Sequence, residues 1–439
     1  MGAQPGGETE SKLVRALGVP GLTASIINTT VGAGIFVIPA TVAAALGTGA
    51  PIAFVLCAIA MGLVVTCFAM AGSRVSLSGG LYAYVEAAFG SYVGFLAGLL
   101  LFITVALGAA SVAAAFAGSI GFAFPMFTSG FNRALLLFVV FASFAYINIL
   151  GIRSGARLMA TLTLIKLVPL LLFVVAGIFY VNKDFVALPA WPASAPLGQS
   201  VLLLVFAFSG IEIALVPSGE VKNPSRTVPR SIFYALAVTT VLYIAIQLVA
   251  QGILGPDLSK FTAAPLAEAA TRFLGTFGRS LVLAGAAVSA LGFISGDVLA
   301  SPRMLFALSR DGIFPAVFSR VHPRFRTPHI ALIAYAMLGF LGSLSSTFER
   351  LAILSNIALL LVYLFCCAAT WELIRRDVRT EGDPFRFPGQ KAVPVLAAIV
   401  VGWILSHASW REFAAAGTVF VGGSLLYFVR KSTGTNRLT

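Results

Sequence analysis

The sequence predicts an all-α polytopic membrane protein that crosses the bilayer about twelve times. Three observations carry that expectation. Of 439 residues, 59% are hydrophobic and only 10% are charged, whereas a soluble domain carries about 25% charged residues. Apolar runs of roughly 20 residues, the length a helix needs to cross the hydrocarbon core, recur from end to end. The alternating segments of about 10 residues that mark a membrane β-barrel are not seen.

Taken in order, residues 1–18 form a polar tail carrying Lys12 and Arg15. The tail lacks the basic start and short apolar core of a signal peptide, so the first span is expected to be retained. Span 1 runs from about Pro20 to Leu46 and span 2 from about Pro51 to Gly72. Ser78 to Gly90 reads as a short amphipathic helix at the interface, leading into a long span 3, about Val93 to Phe124. Span 4 is about Ala134 to Leu150 and span 5 about Ser154 to Tyr180, after which a Pro-rich loop near Trp191 separates the halves. Span 6 covers about Ser200 to Gly219 and span 7 about Arg230 to Leu254, followed by a loop helix with Pro265 and Glu268. Spans 8, 9 and 10 are about Leu281 to Leu308, Ile330 to Leu344 and Leu351 to Ile374; spans 11 and 12 are about Val393 to Ser406 and Phe413 to Phe428.

Lys and Arg orient these spans, because cytoplasmic loops hold the excess. With the N-terminus inside, Arg74, Lys222, Arg226, Arg303, Arg310, Arg324, Arg375, Arg376 and Lys431 all fall on the cytoplasmic side. The outside receives only Arg133, Lys183, Lys260, Arg272, Arg279, Arg350 and Arg411. Both termini are therefore expected inside. The net charge of +13 is a topology signal, not a nucleic-acid footprint. Cys57, Cys67, Cys366 and Cys367 lie in apolar runs without metal or disulfide spacing and read as packing residues.

Span 1 contains Thr29-Thr30-Val31-Gly32-Ala33-Gly34-Ile35-Phe36. Each glycine costs about 1 kcal/mol of helix propensity relative to Ala. A broken helix in lipid leaves backbone groups unpaired, so the break must face protein or a polar cavity. Two readings are open: backbone meeting a ligand, or close helix packing through small residues. Span 6 carries a second interruption, Phe206-Ala207-Phe208-Ser209-Gly210-Ile211-Glu212 with Pro217 beyond. The two lie five spans apart, so the halves have opposite orientations. Paired interruptions in corresponding positions point to a site between inverted repeats. The repeats would be residues 19–181 and 182–378, with 379–431 forming two further helices and 432–439 a cytoplasmic tail. At such breaks the N–H groups of Ala33, Gly34 and Ile35 form a positive pole, and the carbonyls ending the first half-helices, near Thr30 and Ser209, form a negative one. A zwitterionic α-amino acid suits both poles.

These residues resemble the amino acid–polyamine–organocation transporters of LeuT-type 5+5 inverted-repeat fold. The resemblance rests on Gly32-Ala33-Gly34-Ile35-Phe36 with Pro39, Gly79-Gly80-Leu81-Tyr82-Ala83-Tyr84, and Phe208-Ser209-Gly210-Ile211-Glu212. It continues in Glu220-Val221-Lys222-Asn223-Pro224-Ser225-Arg226 to Pro229-Arg230, and in Ser309-Arg310-Asp311-Gly312-Ile313-Phe314-Pro315 with Thr327-Pro328. It implies carboxylate binding at Ala33, Gly34 and Ile35, ammonium binding by carbonyls of Thr30, Phe206 and Ser209 beside Ala207, and occlusion by the Phe206 ring. Position 33 is often Ser in the family; Ala33 keeps the N–H and loses only a hydroxyl.

Three ionisable residues sit deep in spans: Lys166, Glu212 and Asp297. Intramembrane charges are functional candidates by default. Lys166 resembles a family lysine that takes the place of a sodium ion in sodium-coupled relatives. It is expected either to carry the coupling proton or to bridge spans 1 and 5 permanently. Glu212 is a proton relay or a hydrogen-bonded brace. Matching the Arg310-Asp311-Gly312 motif places Asp297 where relatives line the substrate side-chain pocket, which would favour a cationic side chain; a hydrogen-bonded Asp on a packing face is the alternative. The Arg310-Asp311 pair and Lys222 with Arg226 are inward-gate candidates or solvated loop charge. Tyr363 is a cavity-wall or core aromatic, and His407 a packing or dimer-face residue.

The expectation is a multi-pass transporter in the inner (plasma) membrane that moves amino acids by alternating access, with proton symport as the first reading. An amino acid/polyamine exchanger, a facilitated uniporter and a non-transporting sensor are the alternatives. HExxH, GxSxG and metal-ligand clusters are absent, so no enzyme and no cofactor are expected. Partners would be an amino acid or amine, protons, the lipid bilayer and, in a homodimer, a second copy; nucleic acid is not expected.

Overall fold

The interruption in span 1 sets the fold's centre. A computed structural model describes residues 18–75, 80–150, 155–186, 191–215, 221–310, 314–325, 327–379 and 383–432. Among them every helix or strand longer than a single bridge is helical. α1 (Val19–Thr30) stops, residues 31–33 are non-helical, and α2 (Gly34–Leu46) resumes. Pro39, the sixth residue of α2, has no N–H to donate, so the Ile35 carbonyl one turn back loses its usual helical partner. α3 (Ala50–Gly72) follows a tight turn at Gly47, whose φ of 54° favours glycine.

The short amphipathic segment is α4 (Leu81–Phe89), bounded by positive-φ Gly80 and Gly90. It packs on α5 (Ser91–Ala123) and on α14 (Phe348–Arg375). α6 (Gly130–Leu150) and α7 (Gly155–Gly177) follow. A second interruption comes next: α8 (Ser194–Phe208) ends and α9 (Ile211–Ala214) begins after Ser209 and Gly210. α10 (Pro224–Leu254) starts six residues before the sequence placed span 7, because Pro224 occupies a first-turn position where its missing N–H costs nothing. Pro229 is also within the helix, so the segment read as loop is its first two turns.

α11 (Pro265–Ala300) joins the expected loop helix to span 8 across a kink at Gly275, where φ is 60° and ψ −148°. It ends at Ser301, and Pro302 opens a separate short helix, α12 (Pro302–Arg310). The sequence ran span 8 through to Leu308; the proline interrupts it. α13 (His329–Ser345), α14, α15 (Ala392–Leu405) and α16 (Trp410–Ser432) close the chain.

Eight stretches among the described residues are long and apolar enough to cross a bilayer. Shorter apolar helices cover Ile165–Tyr180, His329–Ser345 and Ala392–Leu405. α2 is buried along most of its length, whereas Val421, Leu425 and Phe428 of α16 are exposed. Packing pairs α1 with α10, α2 with α8, α7 with α11, and α5 with α13 and α14. α2 and α8 thereby lie inside, walled by the rest, while α1 buries one face through Leu22, Ile26 and Thr30. Both terminal tails, Glu220 and the Asp311-Gly312-Ile313 segment lie outside the described residues.

Candidate functional site

The two interruptions meet. Gly210 has φ 111°, a conformation glycine adopts without cost. A Cβ there would lie 2.5 Å from the carbonyl oxygen of Thr29, so the α8–α9 break packs against the end of α1. At the α1 end, Val31 N–H donates to Ile27 O and Gly32 N–H to Thr30 O. The next partnered amide is Phe36, which donates to Ala33 O. The N–H groups of Ala33, Gly34 and Ile35 have no hydrogen-bond acceptor among the described residues. Orphan donors of this kind, with a helix dipole behind them, attract an anion.

At the α8 end, the Ser209 hydroxyl turns back to donate to Phe206 O at 2.8 Å. Gly210 N–H donates to Oε1 of Glu212 at 2.8 Å, and Tyr363 donates from α14 to Oε2 at 3.0 Å. Glu212 therefore braces the break and links it to α14. The Tyr243 hydroxyl of α10 lies 3.0 Å from both Thr30 O and Ala207 O. One hydroxyl hydrogen serves one acceptor at a time, so Tyr243 is shared between the broken ends of α1 and α8. The Ser289 hydroxyl of α11 reaches Val31 O at 3.4 Å.

A cavity of about 30 Å3, measured as space open to water centres, lies between these ends. That is room for about two waters. Thr29, Thr30, Gly32, Ala33 and Gly34 of the first break line it, as do Phe206, Ala207, Ser209, Gly210 and Glu212 of the second. α5, α11 and α14 supply the remaining wall, including Thr104, Phe293 and Ser355. The Phe206 ring meets Phe348 edge-on, centroids 5.5 Å apart. An edge-on pair of this kind is worth about 0.5–1.5 kcal/mol beyond the area it buries.

The structure thus gathers Thr30, Ala33, Gly34, Phe206, Ala207, Ser209 and Glu212 around one space. Ile35 is fully buried beside it and does not line the wall. Lys166 is buried and donates from Nζ to Asn28 O at 2.5 Å, tying α7 to the last turn of α1. Asp297 is buried elsewhere. Its Oδ1 accepts from Ser301 at 2.6 Å and its Oδ2 from Tyr335 of α13 at 2.5 Å, and it is not among the lining residues. His407 packs its imidazole against Gly198 of α8 and edge-on to Trp403. Tyr243 was not singled out from the sequence. The signal was available: a tyrosine hydroxyl in mid-span must find an acceptor.

Two interrupted helices whose broken ends face one internal cavity, inside a bundle of membrane-length helices, define a membrane transport protein. The chain belongs to the amino acid permease family, whose model matches residues 17–436. It is 29% identical to a methylthioribose transporter of Bacillus subtilis, over 96% of this chain and 95% of that one. It is 27% identical to a branched-chain amino acid permease of the same organism, over 98% and 96% of the two chains. A serine/threonine exchanger, also from Bacillus subtilis, is 28% identical over 94% and 91%. The family and these relatives are transporters, not enzymes, and the chain is a multi-pass membrane protein.

Proposed function

We propose that this protein is a secondary transporter of α-amino acids, working by alternating access. The observation that carries the reading is the pairing of unpartnered N–H groups at Ala33, Gly34 and Ile35 with the carbonyl ends at Thr30 and Phe206 around one cavity. The first holds a carboxylate. The second, with Ser209 and Ala207, holds an ammonium: Phe206 O keeps a lone pair beside the Ser209 bond, and Thr30 O, which accepts from Gly32 N–H, has one when the Tyr243 hydrogen turns to Ala207 O. Phe206 covers the substrate. The cavity is too small for an amino acid as it stands, which suits an occluded conformation that opens by moving α1 or α8.

In this reading the chain makes twelve spans. Residues 19–181 and 182–378 form two inverted repeats of five, the helices of 379–431 are appended, and both termini face the cytoplasm of a plasma-membrane protein. Protons drive uptake, with Lys166 and Glu212 in the coupling path. Exchange is the second reading, favoured by the Lys166 to Asn28 bond, which serves equally as a fixed strut, and by the likeness to an exchanger. Uptake of a labelled amino acid panel into proteoliposomes, with and without an inward proton gradient, separates them. Gradient-driven accumulation means symport. Flux that requires amino acid on the far side means exchange, and no amino acid flux of either kind removes the reading.

A further inference from the structure

The cavity wall away from the helix breaks is small and uncharged. It is made by Thr104, Val105, Gly108 and Val112 of α5, Phe293 of α11 and Ser355 of α14. Among the described lining residues, Glu212 is the one ionisable side chain, and both its oxygens already accept hydrogen bonds. Neither Lys166 nor Asp297 faces this space; each is bonded to partners outside it. A charged substrate side chain entering here would lose its hydration and find no free counter-charge, a cost of several kcal/mol.

Size follows from Gly108. A Cβ built there meets a single atom within 4 Å, Ser355 Oγ at 3.7 Å. A methyl at 108 would therefore reach ordinary van der Waals contact with Ser355 without a clash, and would take room at this wall that a substrate side chain would otherwise use. Polarity follows from the two hydroxyls. Thr104 donates to Leu100 O at 3.0 Å and Ser355 donates to Thr104 O at 2.8 Å. With their hydrogens committed, both oxygens are left as acceptors. They suit a hydroxyl donor and tolerate a methyl group.

Resting on the amino acid reading above, we propose that the substrate carries a small uncharged side chain, with a hydroxyl accommodated, and that Gly108 opposite Ser355 sets its size limit. Serine, threonine and alanine match this wall once the cavity opens; lysine and glutamate do not.

The test is exchange of labelled alanine and labelled serine in proteoliposomes, competed by glycine, alanine, serine, threonine, leucine, lysine and glutamate, for wild type and Gly108→Ala. The expected wild-type result is competition by the small neutral members and none by lysine or glutamate. In Gly108→Ala the threonine to glycine preference should fall by about tenfold, the usual effect of one methylene in a fitted pocket. Its fold is checked by unchanged elution and melting. Lysine or glutamate competing as well as alanine overturns the proposal on the wild type alone, as does a folded Gly108→Ala with an unchanged threonine to glycine ratio. If neither label moves and no amino acid in the panel protects the protein against thermal unfolding, the amino acid reading itself has failed and this inference falls with it.

Discussion

The ammonium of Lys166 donates to the carbonyl oxygen of Asn28 at 2.5 Å, joining α7 to the final turn of α1 across 138 positions of sequence. That carbonyl is one of the four a helix leaves without an internal partner, and a positive charge at a helix C-terminus is favourable. Losing the ammonium would free the end of α1, whose Thr29 and Thr30 line the cavity. In Lys166→Ala, proton-driven accumulation is expected to vanish while exchange across equal pH persists at a reduced rate. Accumulation equal to wild type would remove Lys166 from the coupling path.

Substitutions at the two break glycines should differ in kind. A Cβ at Gly34 meets Ile38 Cδ1 and Phe206 Cδ1 at 3.3 Å, both side-chain ends that can shift, and Ala207 Cα at 3.5 Å. Gly34→Val should therefore fold while displacing Phe206 and crowding the N–H groups, weakening substrate affinity by about tenfold or more. Binding measured by thermal shift or competition decides this, and unchanged affinity would exclude backbone recognition at Gly34. Gly210→Ala places its Cβ against the Thr29 carbonyl, which cannot yield, at a φ that alanine resists. It should fail to accumulate as folded protein.

The hydroxyl of Tyr363 serves Glu212, and removing it strands a buried carboxylate oxygen. Tyr363→Phe is expected to cost about 1–3 kcal/mol of stability. Glu212→Gln keeps one oxygen to accept from Gly210 N–H, and its amide can donate to the Tyr363 hydroxyl with that bond's direction reversed, so it should lose less stability than Glu212→Ala. If Glu212 relays protons, Glu212→Gln also abolishes gradient-driven uptake while sparing exchange. Equal melting temperatures and equal uptake in all three variants would leave Glu212 without either role.

How legible the site was depends on which atoms make it. Its backbone half was readable, because Gly-x-Gly in a span and Ser209-Gly210 in another announce breaks by their own propensities. So was the depth of Lys166, Glu212 and Asp297, which follows from position in an apolar run. What Asp297 touches was not readable: Ser301 lies one turn on in the same chain, but Tyr335 arrives from α13, and only packing brings it there. Tyr243 was hidden for the same reason, since its two acceptors belong to helices α1 and α8. The start of α10 and the end of α11 turned on prolines at 224 and 302, whose effect reverses between a first turn and a helix interior.

Asp297 and Tyr335 should behave as a pair. Their bond and that from Ser301 engage both carboxylate oxygens away from the cavity lining. A double-mutant cycle of Asp297→Asn and Tyr335→Phe is expected to give a coupling of about 0.5–3 kcal/mol in unfolding stability. Asp297→Asn should then discriminate among substrates as wild type does, taking small neutral amino acids and excluding lysine. A changed ratio between neutral and cationic competitors would instead put Asp297 on the substrate path.

A last prediction concerns the junction between the C-terminal ends of α3 and α14. Arg74, buried just after α3, lies 3.6 Å from Oδ1 of Asp377 and donates to Val378 O at 3.3 Å. Asp377 follows α14 with φ 47°, a left-handed conformation that Asn also adopts readily. The hydrogen bond from Arg379, with the charges of Arg379 and Arg74 beside it, holds the Asp377 carboxyl below its ordinary value. Because the folded value is depressed, the stabilisation is present above the unfolded value of about 3.9 and is lost as pH falls through the folded one. The pair's contribution to melting temperature should therefore be full and constant between about pH 5 and 8, and be lost only below about pH 4. Asp377→Asn keeps the backbone and removes the charge. Its melting curve should converge on that of wild type at acid pH, and a constant gap between the two down to pH 3 would show that the carboxylate does not hold this junction.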